Sequence, residues 1–266
     1  MTTPTPKQPV PPYVPGHNLL AGKSVLITAA AGAGIGLSTA IKIAQEGASA
    51  LMISDVHDGR LQKAVEQIEA ETGLRPHAHL CNVTREDDVQ ALINTAVDKM
   101  GHIDVLVNNA GLGTSNKLLD MTDDQWNLVL DVTLNGTFRM TRAALKHMSQ
   151  RGQGVIVNNA SVLGWRAQKE QAHYAAAKAG VMAFTRCAAM EAAEFGVRIN
   201  AVSPSIVLHD FLRKSAPADL LAELESKEAF GRAAEAWEIA NVIVFLASDY
   251  SSYMTGEVVS VSSQRA

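Results

Sequence analysis

The sequence predicts an α/β protein that forms one domain around a doubly wound parallel sheet of about seven strands. From Ser24 to the C-terminus, short runs rich in β-branched residues alternate with longer segments of helical apolar spacing. A glycine-rich turn follows the first of these runs directly. The length of 266 residues suits one extended sheet with helices on both faces.

Seven segments are predicted strands and six are predicted helices. The strand segments are residues 24–28, 50–54, 77–81, 104–108, 154–158, 197–202 and 257–261, and the helical segments are residues 36–47, 59–72, 85–100, 122–150, 173–196 and 236–249. Because strands and helices alternate throughout, the strands should lie parallel in a Rossmann-type sheet. Ligands of such sheets bind beyond the carboxyl ends of the strands, so the residues that follow each strand are the candidates for function.

Composition restricts the classes of partner. The formal net charge of −4 leaves no basic stripe for nucleic acid, and neither a membrane span nor a signal peptide is recognisable. Cys81 and Cys187 are flanked by apolar residues, and we expect both to be reduced and buried in the core. His77, His79 and Cys81 alternate along one strand, but a buried third strand accounts for them, so no metal site is predicted. These features predict a cytoplasmic protein that acts on small molecules, without a membrane or nucleic-acid partner.

Residues 1–16 form a segment of distinct composition. Six of the nine prolines lie in the first fifteen residues, and such a composition favours extended chain over helix. The segment is either a disordered tail or an arm that lies across its own domain or a neighbouring subunit, and Tyr13 and Val14 favour an arm. Residues 17–266 are predicted to form the α/β domain.

The turn after the first strand reads TAAAGAGIG, from Thr28 to Gly36. Its glycines, Gly32, Gly34 and Gly36, allow the backbone to approach a ligand closely, and the following helix presents its amides to a pyrophosphate. The alternative is a tight connection without a ligand. Alanine stands where such turns usually begin with glycine, at position 29 or 30, and we expect it to keep a negative φ on an altered loop path.

An acidic residue ends the second predicted strand. Asp55 lies nineteen residues after Gly36, where a carboxylate would receive the hydroxyls of an adenosine ribose and repel a ribose phosphate. Together with the turn, it predicts NAD as the cofactor in preference to NADP. The alternative is a solvated loop acid beside His57 and Asp58.

Three residues farther along the chain form a catalytic pattern. Ser161 follows the fifth predicted strand, Tyr174 comes thirteen residues later, and Lys178 stands one helical turn beyond it on the same face. A free tyrosine has a pKa near 10, and a nearby ammonium would lower it and favour the phenolate. The group is therefore a candidate for proton transfer, although Tyr-x-x-x-Lys alone also occurs by chance in alanine-rich helices.

From about Ala21 to the C-terminus, the chain resembles the short-chain dehydrogenase/reductase family. The resemblance rests on the glycine-rich turn, Asp55, Ser161, Tyr174, Lys178, NNAG (108–111), RINAVSP (198–204) and FLASDYSSYMTGE (245–257). It implies that Tyr174 is the catalytic acid/base, that Lys178 supports it and holds the nicotinamide ribose, and that Ser161 hydrogen-bonds the substrate oxygen. It also implies a homotetramer.

The same resemblance implies the cofactor contacts. They are Ala29, Gly34, Ile35, Asp55, Asn82, Val83, Asn109, Tyr174, Lys178 and Ile206. Asn82 replaces the usual aspartate of the family and keeps an acceptor oxygen for the adenine amine, while Val83 should flank the ring. The backbone at Ile206 would orient the carboxamide.

One catalytic position departs from the family pattern. The family usually has an asparagine in the long helix after the fourth strand, where it organises a water-mediated proton relay. Here the stretch VTLNG places Thr133 at that position and Asn135 two residues later. Thr133 is therefore included among the candidate catalytic residues: either its hydroxyl keeps the water, or the relay takes a different route.

Two residues besides Ser161 are candidates for substrate contact. Arg166 would bind an anionic group and His209 lies in the loop over the site, the alternative for each being an ordinary solvated residue. The segment 205–230 is apolar and helical in pattern and is predicted to form a lid over a bulky alicyclic substrate.

At a finer level, several stretches resemble the branch of the family that acts in actinobacterial degradation of steroid rings C and D. They are the glycine-rich turn, ASVLGWRAQ (160–168), HYAAAKAGVMAFTRCAA (173–189), INAVSPSI (199–206) and FGRAAE (230–235). That branch is described as oxidising a ring hydroxyl of a methyl-indanone CoA thioester, which implies a role in cholesterol or steroid degradation. The alternatives are a 3-oxoacyl-thioester reductase, another hydroxysteroid dehydrogenase and, from a different class, a catalytically silent dinucleotide-binding protein.

Overall fold

The computed structural model describes residues 7–208 and 218–264 and shows one α/β domain around a parallel seven-stranded sheet. The strands are β1 (Ser24–Ile27), β2 (Ala50–Asp55), β3 (His77–Leu80), β4 (Val105–Asn108), β5 (Gly154–Asn159), β6 (Val197–Pro204), β7 (Val207–Leu208), β8 (Ala234–Glu235) and β9 (Val258–Val261). The sheet order is β3-β2-β1-β4-β5-β6-β9, and β7 and β8 form a separate pair. The predicted fold class is confirmed, and all seven predicted strands are present.

Eight α-helices lie within the described residues. They are α1 (Ile35–Gln45), α2 (Asp58–Thr72), α3 (Glu86–Met100), α4 (Asp123–Leu130), α5 (Gly136–Arg151), α6 (Ala172–Ala193), α7 (Ala218–Ser226) and α8 (Ala236–Ala247). The start of α4 is encoded locally, because Thr122 and Gln125 form a reciprocal capping box. The predicted helix 122–150 is divided by a π-helical turn at Asp131–Asn135, a feature that often marks functional sites.

The sheet has its topological switch point between β1 and β4. Strand β1 pairs with β2 on one side and β4 on the other, so the chain returns from the β3 edge to the middle of the sheet after α3. Val25 and Ile27 join the apolar cluster that contains α1, α2 and α8, while Leu26 joins the cluster that contains α3 and α5 on the opposite face. Because both faces are covered, the carboxyl ends of β1 and β4 are the open place for a ligand.

The third strand and one cysteine differ from the sequence-based expectation. Strand β3 lies at the edge of the sheet, so it is not a buried strand, and His77 and His79 are half-buried. Cys81 is buried, which raises its pKa to about 12, but Cys187 is exposed because its face of α6 points away from the sheet. Among the described residues, no group of three His, Cys, Asp or Glu side chains is placed to hold a metal ion. No helix in this part of the chain has the length and apolarity needed to cross a membrane.

The described part of the proline-rich segment, residues 7–16, lies against α1. Lys42 Nζ donates to the carbonyls of Val14 and Pro15, at 2.6 and 3.1 Å. Glu46 accepts from the N–H groups of His17 and Leu19, directly after the segment, at 2.8 and 3.0 Å. Lys42 and Glu46 are 3.3 Å apart, and the side chain of each is 2% exposed. The backbone of the segment and of the residues that follow it thus satisfies a buried ion pair of the domain.

Farther toward the N-terminus, the segment reaches α8 and the expected lid. Tyr13 packs edge-on against Trp237, with ring centroids 5.4 Å apart, and Lys42 Nζ lies 5.2 Å from the centroid of the Tyr13 ring. The N–H of Gln8 donates to the carbonyl of Phe230 at 2.8 Å. The segment therefore connects the helix after the glycine-rich turn with the end of the expected lid.

Candidate active site

The glycine-rich turn begins with a residue in the left-handed conformation. Ala29 has a φ of 51°, a region that costs an L-residue roughly 1 kcal/mol or more. The expectation that the opening alanine keeps a negative φ is therefore wrong for Ala29. The N–H of Thr28 is bonded to β4 and the N–H of Ala30 to β2, at 3.1 and 3.0 Å, so the chain has to turn within one residue.

The last glycine of the turn permits the close approach of α1 to β1. A Cβ atom at Gly36 would lie 2.4 Å from the carbonyl oxygen of Ala29 and 2.5 Å from Asn109 Nδ2, distances that Cβ atoms do not adopt. Gly34 is the N-cap residue of α1 and has no side chain to cover the free N–H groups that begin at Ile35. This helix N-terminus opens at the carboxyl ends of the strands, a geometry that fits a pyrophosphate.

Asn109 joins the ends of three strands. Its Nδ2 donates to the carbonyls of Thr28 and Ala29, at 3.2 and 3.0 Å. Its Oδ1 accepts from Asn159 Nδ2 at 2.9 Å, and its backbone N–H donates to Thr28 Oγ1 at 3.0 Å. Asn109 therefore fixes the turn after β1 relative to β4 and β5.

Asp55 ends β2, and only 8% of its surface is exposed. Burial raises the pKa of its carboxyl, while the Arg60 guanidinium at 3.6 Å and hydrogen bonds from backbone N–H groups, that of Ala31 among them, oppose the shift. The alternative interpretation as a solvated loop acid is therefore wrong. The N–H of His57 donates to Asp55 Oδ1 at 3.1 Å, which holds the carboxylate at the end of β2.

The other expected cofactor contacts follow β3 and β6. Asn82 Oδ1 accepts from both the N–H and the Oγ1 of Thr84, at 3.1 and 2.9 Å, so the oxygen expected to receive the adenine amine is already engaged. Val83 packs against Gly136, where a Cβ atom would lie 2.6 Å from Val83 Cγ2. The carbonyl of Ile206 accepts from the first residue of β8 at 2.9 Å, which fixes the backbone after β6.

Ser161, Tyr174 and Lys178 lie together beyond the carboxyl end of β5. Ser161 Oγ accepts from the N–H of Leu163 at 3.3 Å and lies near enough to the Tyr174 hydroxyl to lower its pKa. Tyr174 and Lys178 are one turn apart on α6, and Lys178 Nζ lies 5.6 Å from the centroid of the Tyr174 ring. The ammonium donates to the carbonyl of Asn159.

Burial governs the titration of the tyrosine and the lysine. It raises the pKa of Tyr174, which the nearby Ser161 hydroxyl only partly offsets. It lowers the pKa of Lys178 to about 8. Nζ of Lys178 donates to the Asn159 carbonyl, and burial is the largest influence on the Tyr174 pKa, so the expectation that Lys178 lowers this pKa stays a prediction.

Thr133 lies in the π-helical turn and binds the loop that follows β4. Its Oγ1 accepts from the N–H of Leu112 at 3.0 Å and donates to the Leu112 carbonyl at 3.3 Å, and none of its surface is exposed. In the same loop, a Cβ atom at Gly111 would lie 3.3 Å from Lys178 Nζ. The loop backbone thus uses the Thr133 hydroxyl, which favours a relay by a different route. Asn135 is exposed, on another face of the helix.

The comparison with protein families agrees with this geometry. A family model of short-chain dehydrogenases, described as enoyl-(acyl carrier protein) reductase, matches residues 29–263 and so includes the turn and the catalytic group. The chain belongs to the short-chain dehydrogenase/reductase family. The resemblance carried by the sequence motifs is confirmed, and the protein is an oxidoreductase.

Individual members of the family are similar over nearly the whole chain. The (5R,7aS)-5-hydroxy-7a-methyl-1-oxo-2,3,5,6,7,7a-hexahydro-1H-indene-carboxyl-CoA reductase of Mycobacterium tuberculosis is 59% identical over 256 residues, which are 96% of this chain and 97% of that protein. The 3-oxoacyl-[acyl-carrier-protein] reductase FabG of Thermotoga maritima is 38% identical over 242 residues, 91% of this chain and 97% of that protein. A crystal structure of a short-chain dehydrogenase from Mycobacterium smegmatis has a TM-score of 0.86 and 58% identity, covering 97% of this chain and 99% of that one.

Sequence reasoning missed one residue of this short-chain dehydrogenase/reductase. His173 immediately precedes Tyr174, none of its surface is exposed, and its ring is bonded to the backbone of α6 and to the loop after β4. The available signal was a single ionisable residue beside Tyr174 at the start of an alanine-rich helix.

The expected substrate contacts are described only in part. Arg166 is half-buried, and its guanidinium is hydrogen-bonded to the side chain of Gln264. His209 lies outside the described residues, as does the part of the expected lid from 209 to 217. The described remainder of the lid includes α7 and Phe230, which is half-exposed.

Proposed function

We propose that the protein is an NAD-dependent oxidoreductase that interconverts a secondary alcohol and a ketone on a bulky alicyclic substrate, a methyl-indanone CoA thioester from the C and D rings of a steroid. The observation that carries this proposal is the convergence of Ser161, Tyr174 and Lys178, in a chain 59% identical to an indene-carboxyl-CoA reductase. Family membership supports the nicotinamide cofactor and the reaction class, and that relative supports the substrate class. We expect the ring hydroxyl to be oxidised.

Tyr174 transfers the proton in this proposal. Ser161 binds the substrate oxygen and, because its hydroxyl lies beside the phenol, brings that oxygen to the Tyr174 hydroxyl. In reduction the phenol donates its proton to the oxygen, and in oxidation the phenolate accepts one. A nicotinamide cofactor, when bound, would supply or accept the hydride. Lys178, when protonated, favours the phenolate.

The residues that would hold the cofactor surround the switch point. Gly36 provides a surface without a Cβ atom, and α1 presents its free N–H groups. The set comprises Ala29, Gly34, Ile35 and Asn109 at the turn, Asp55 for the adenosine ribose, Asn82 and Val83 for the adenine, and Tyr174, Lys178 and Ile206 for the nicotinamide half.

Asp55 is the basis for preferring NAD. Its buried carboxylate would accept the ribose hydroxyls and repel a phosphate, and its loss would release Arg60, now 3.6 Å away, to attract that phosphate. We expect Asp55→Ala to lower the ratio of kcat/KM for NAD to that for NADP by about 10- to 100-fold. The double variant with Arg60→Ala should recover part of the ratio. Equal efficiency of the wild type with both cofactors would overturn the assignment.

The reaction is tested by following NAD reduction with cyclic secondary alcohols and their CoA thioesters. A hydroxy-indanone thioester should exceed linear 3-hydroxyacyl thioesters in kcat/KM. Tyr174→Phe, which removes only the phenolic oxygen, should lower turnover by at least about 100-fold. Wild-type turnover in this variant contradicts the mechanism, and cofactor binding without turnover of any alcohol identifies a silent dinucleotide-binding protein.

A second candidate function is reduction of 3-oxoacyl thioesters. The specific observation in its favour is the 38% identity to a 3-oxoacyl-[acyl-carrier-protein] reductase over 91% of the chain. It predicts that linear 3-oxoacyl thioesters exceed the bicyclic thioester in kcat/KM. Another hydroxysteroid dehydrogenase would instead prefer an intact steroid alcohol, so the same panel of substrates separates the three possibilities.

We also propose a homotetramer. An apolar groove of about 460 Å³ lies between α5 and α6, and the rings of Phe138 and Phe184 meet edge-on in it, with centroids 6.1 Å apart. Burying these rings against another subunit would remove apolar area from water. Sedimentation equilibrium is expected to give four chains, and Phe184→Glu should dissociate them. A monomeric wild type would contradict the proposal.

A further inference from the structure

We propose that His173 is a positioning residue, which clamps the loop after β4 to the start of α6 and so holds the ring of Tyr174 in place. The inference rests on the proposed role of Tyr174. It concerns residues 111–116, named here the β4 loop, whose contacts with His173, Tyr174 and Lys178 are given below.

The ring of His173 bridges two parts of the chain with both nitrogens. Nδ1 accepts from the backbone N–H of Tyr174 at 2.9 Å, one of the N–H groups that the first turn of a helix leaves without an intrahelical partner. Nε2 lies 2.8 Å from Thr114 Oγ1 and 3.3 Å from Asn116 Oδ1. Thr114 Oγ1 donates its own hydrogen to Asn116 Oδ1 at 2.8 Å, so Nε2 must carry the hydrogen that Thr114 accepts.

Further hydrogen bonds hold the same junction. Gln171 Nε2 donates to the Thr114 carbonyl at 3.1 Å, and the N–H of Asn116 donates to the Glu170 carbonyl at 3.0 Å. Ser115 Oγ donates to the carboxylate of Glu170 at 2.6 Å. These partners are exposed or half-exposed, whereas the ring of His173 is fully buried at the centre of the junction.

The β4 loop in turn confines the catalytic side chains. A Cβ atom at Gly113 would lie 3.3 Å from Cδ2 and Cε2 of the Tyr174 ring, and one at Gly111 would lie 3.3 Å from Lys178 Nζ. The backbone of the loop therefore packs directly against the Tyr174 ring and the Lys178 ammonium, at two positions where a side chain would leave too little space. Thr133 is bonded to Leu112 near the start of this loop, so His173 and Thr133 fix the loop at two points.

A purely structural role would not require an imidazole at this position. An apolar side chain of similar size would fill the space, but it would leave the Tyr174 N–H and the Thr114 hydroxyl without their partner. Misplacement of a reacting group by about 1 Å lowers turnover by about 100-fold, so a loose loop should act on kcat. Cofactor affinity should change less than kcat, because most residues that would hold the cofactor lie at the turn after β1 and at the ends of β2 and β3, and Lys178 keeps its bond to the Asn159 carbonyl.

The test compares His173→Asn with His173→Gln. Asparagine places a polar atom near the Nδ1 position and keeps only the bond to the Tyr174 N–H, while glutamine reaches the Nε2 position and keeps only the bond to the β4 loop. We expect His173→Asn and His173→Leu to lower kcat by roughly 10- to 100-fold, with the Kd for NAD within about threefold of wild type. His173→Gln should stay within about threefold of wild type in kcat.

Hydrogen exchange of a peptide that spans 110–118 provides a readout independent of activity. The amides of this peptide should exchange faster in the Asn and Leu variants than in the wild type and the Gln variant, at a temperature well below each Tm. Equal kcat and equal exchange in the Asn and Gln variants would overturn the inference. If Tyr174→Phe keeps full turnover while exchange follows the expected order, the proposed function fails and the loop clamp stands.

Discussion

Lys178 Nζ lies 5.6 Å from the centroid of the Tyr174 ring, yet its hydrogen bond goes to the carbonyl of Asn159 and not to the phenol. Burial raises the pKa of the phenol and lowers that of the ammonium, so both groups are driven toward their neutral forms. Burial of Lys178 therefore lowers the stability of the fold, and burial of Tyr174 raises the pH at which its hydroxyl loses the proton.

Lys178→Met is expected to stabilise the fold while it removes activity. The pKa of Lys178 falls from 10.5 to about 8, a shift that corresponds to about 3 kcal/mol below pH 8. Between pH 8 and 10.5 the unfolded chain binds more protons, so the lysine destabilises the native state fully at neutral pH and not at all above 10.5. Urea unfolding at pH 7 should show a gain of about 1–3 kcal/mol that disappears toward pH 10.5. A less stable variant at pH 7 would show that the lysine's hydrogen bond outweighs its lost hydration.

The two directions of the reaction should depend differently on pH. Because burial raises the pKa of Tyr174, the phenol is protonated near pH 7, which suits proton donation in ketone reduction. Alcohol oxidation needs the phenolate, so its kcat should rise by about tenfold for each pH unit between 7 and 9, while that of reduction stays level. Initial rates in both directions across this range check the prediction. A decrease of oxidation with rising pH would exclude Tyr174 as the base.

Ala29→Gly is expected to raise the free energy of unfolding. Glycine adopts the φ of 51° without the strain of alanine, roughly 1–2 kcal/mol, but it gains entropy in the unfolded chain, so the net gain should be about 0.5–1 kcal/mol. Ala30→Gly is the matched control, because Ala30 is buried and has no positive φ. This substitution should lower the free energy of unfolding by about 1 kcal/mol. Denaturant unfolding of both variants measures these two changes in free energy. Equal losses at the two positions would mean that Ala29 is not strained, and tighter NAD binding by Ala29→Gly would show that the strain also reaches the cofactor.

Lys42→Met is expected to release the proline-rich segment. The change leaves Glu46 buried without its cation and removes the donors to Val14 and Pro15, at a cost of about 3 kcal/mol. Lys227→Met is the control: Lys227 forms an ion pair with Glu223 at the same i, i+4 spacing, but this pair is exposed, so its loss should leave the Tm nearly unchanged. The Tm measures the loss of stability, and the rate of proteolytic cleavage within the proline-rich segment measures its release. Equal effects of the two substitutions would show that the buried pair does not anchor the segment.

Much of the fold was predictable because its signals are local. The alternation of β-branched runs with amphipathic segments locates every strand of the central sheet. The i, i+4 spacing alone places Tyr174 and Lys178 on one face of α6. Asp55 was found at the carboxyl end of β2, because the end of a strand can be read from its own residues.

Other features depend on partners that are distant in the sequence. The positive φ of Ala29 follows from hydrogen bonds to two different strands, and the raised pKa of Tyr174 follows from burial by the assembled chain. The exposure of Cys187 depends on which face of α6 meets the sheet, which apolar neighbours alone do not specify. His173 is bonded to Thr114 and Asn116, which precede it by 59 and 57 positions, so the residues next to His173 do not predict the contact.

The contacts of the proline-rich segment determine the order in which the native structure can be completed. Lys7 pairs with Glu225, 218 positions later, and Tyr13 packs on Trp237, so these contacts wait until nearly the whole chain has been synthesised. Loops of this length close late, after the local helices and the sheet have formed. The outer part of the segment is thus among the last to reach its native neighbours, because a chain shorter than about 240 residues has the glycine-rich turn and α1 but lacks Trp237, on which Tyr13 packs.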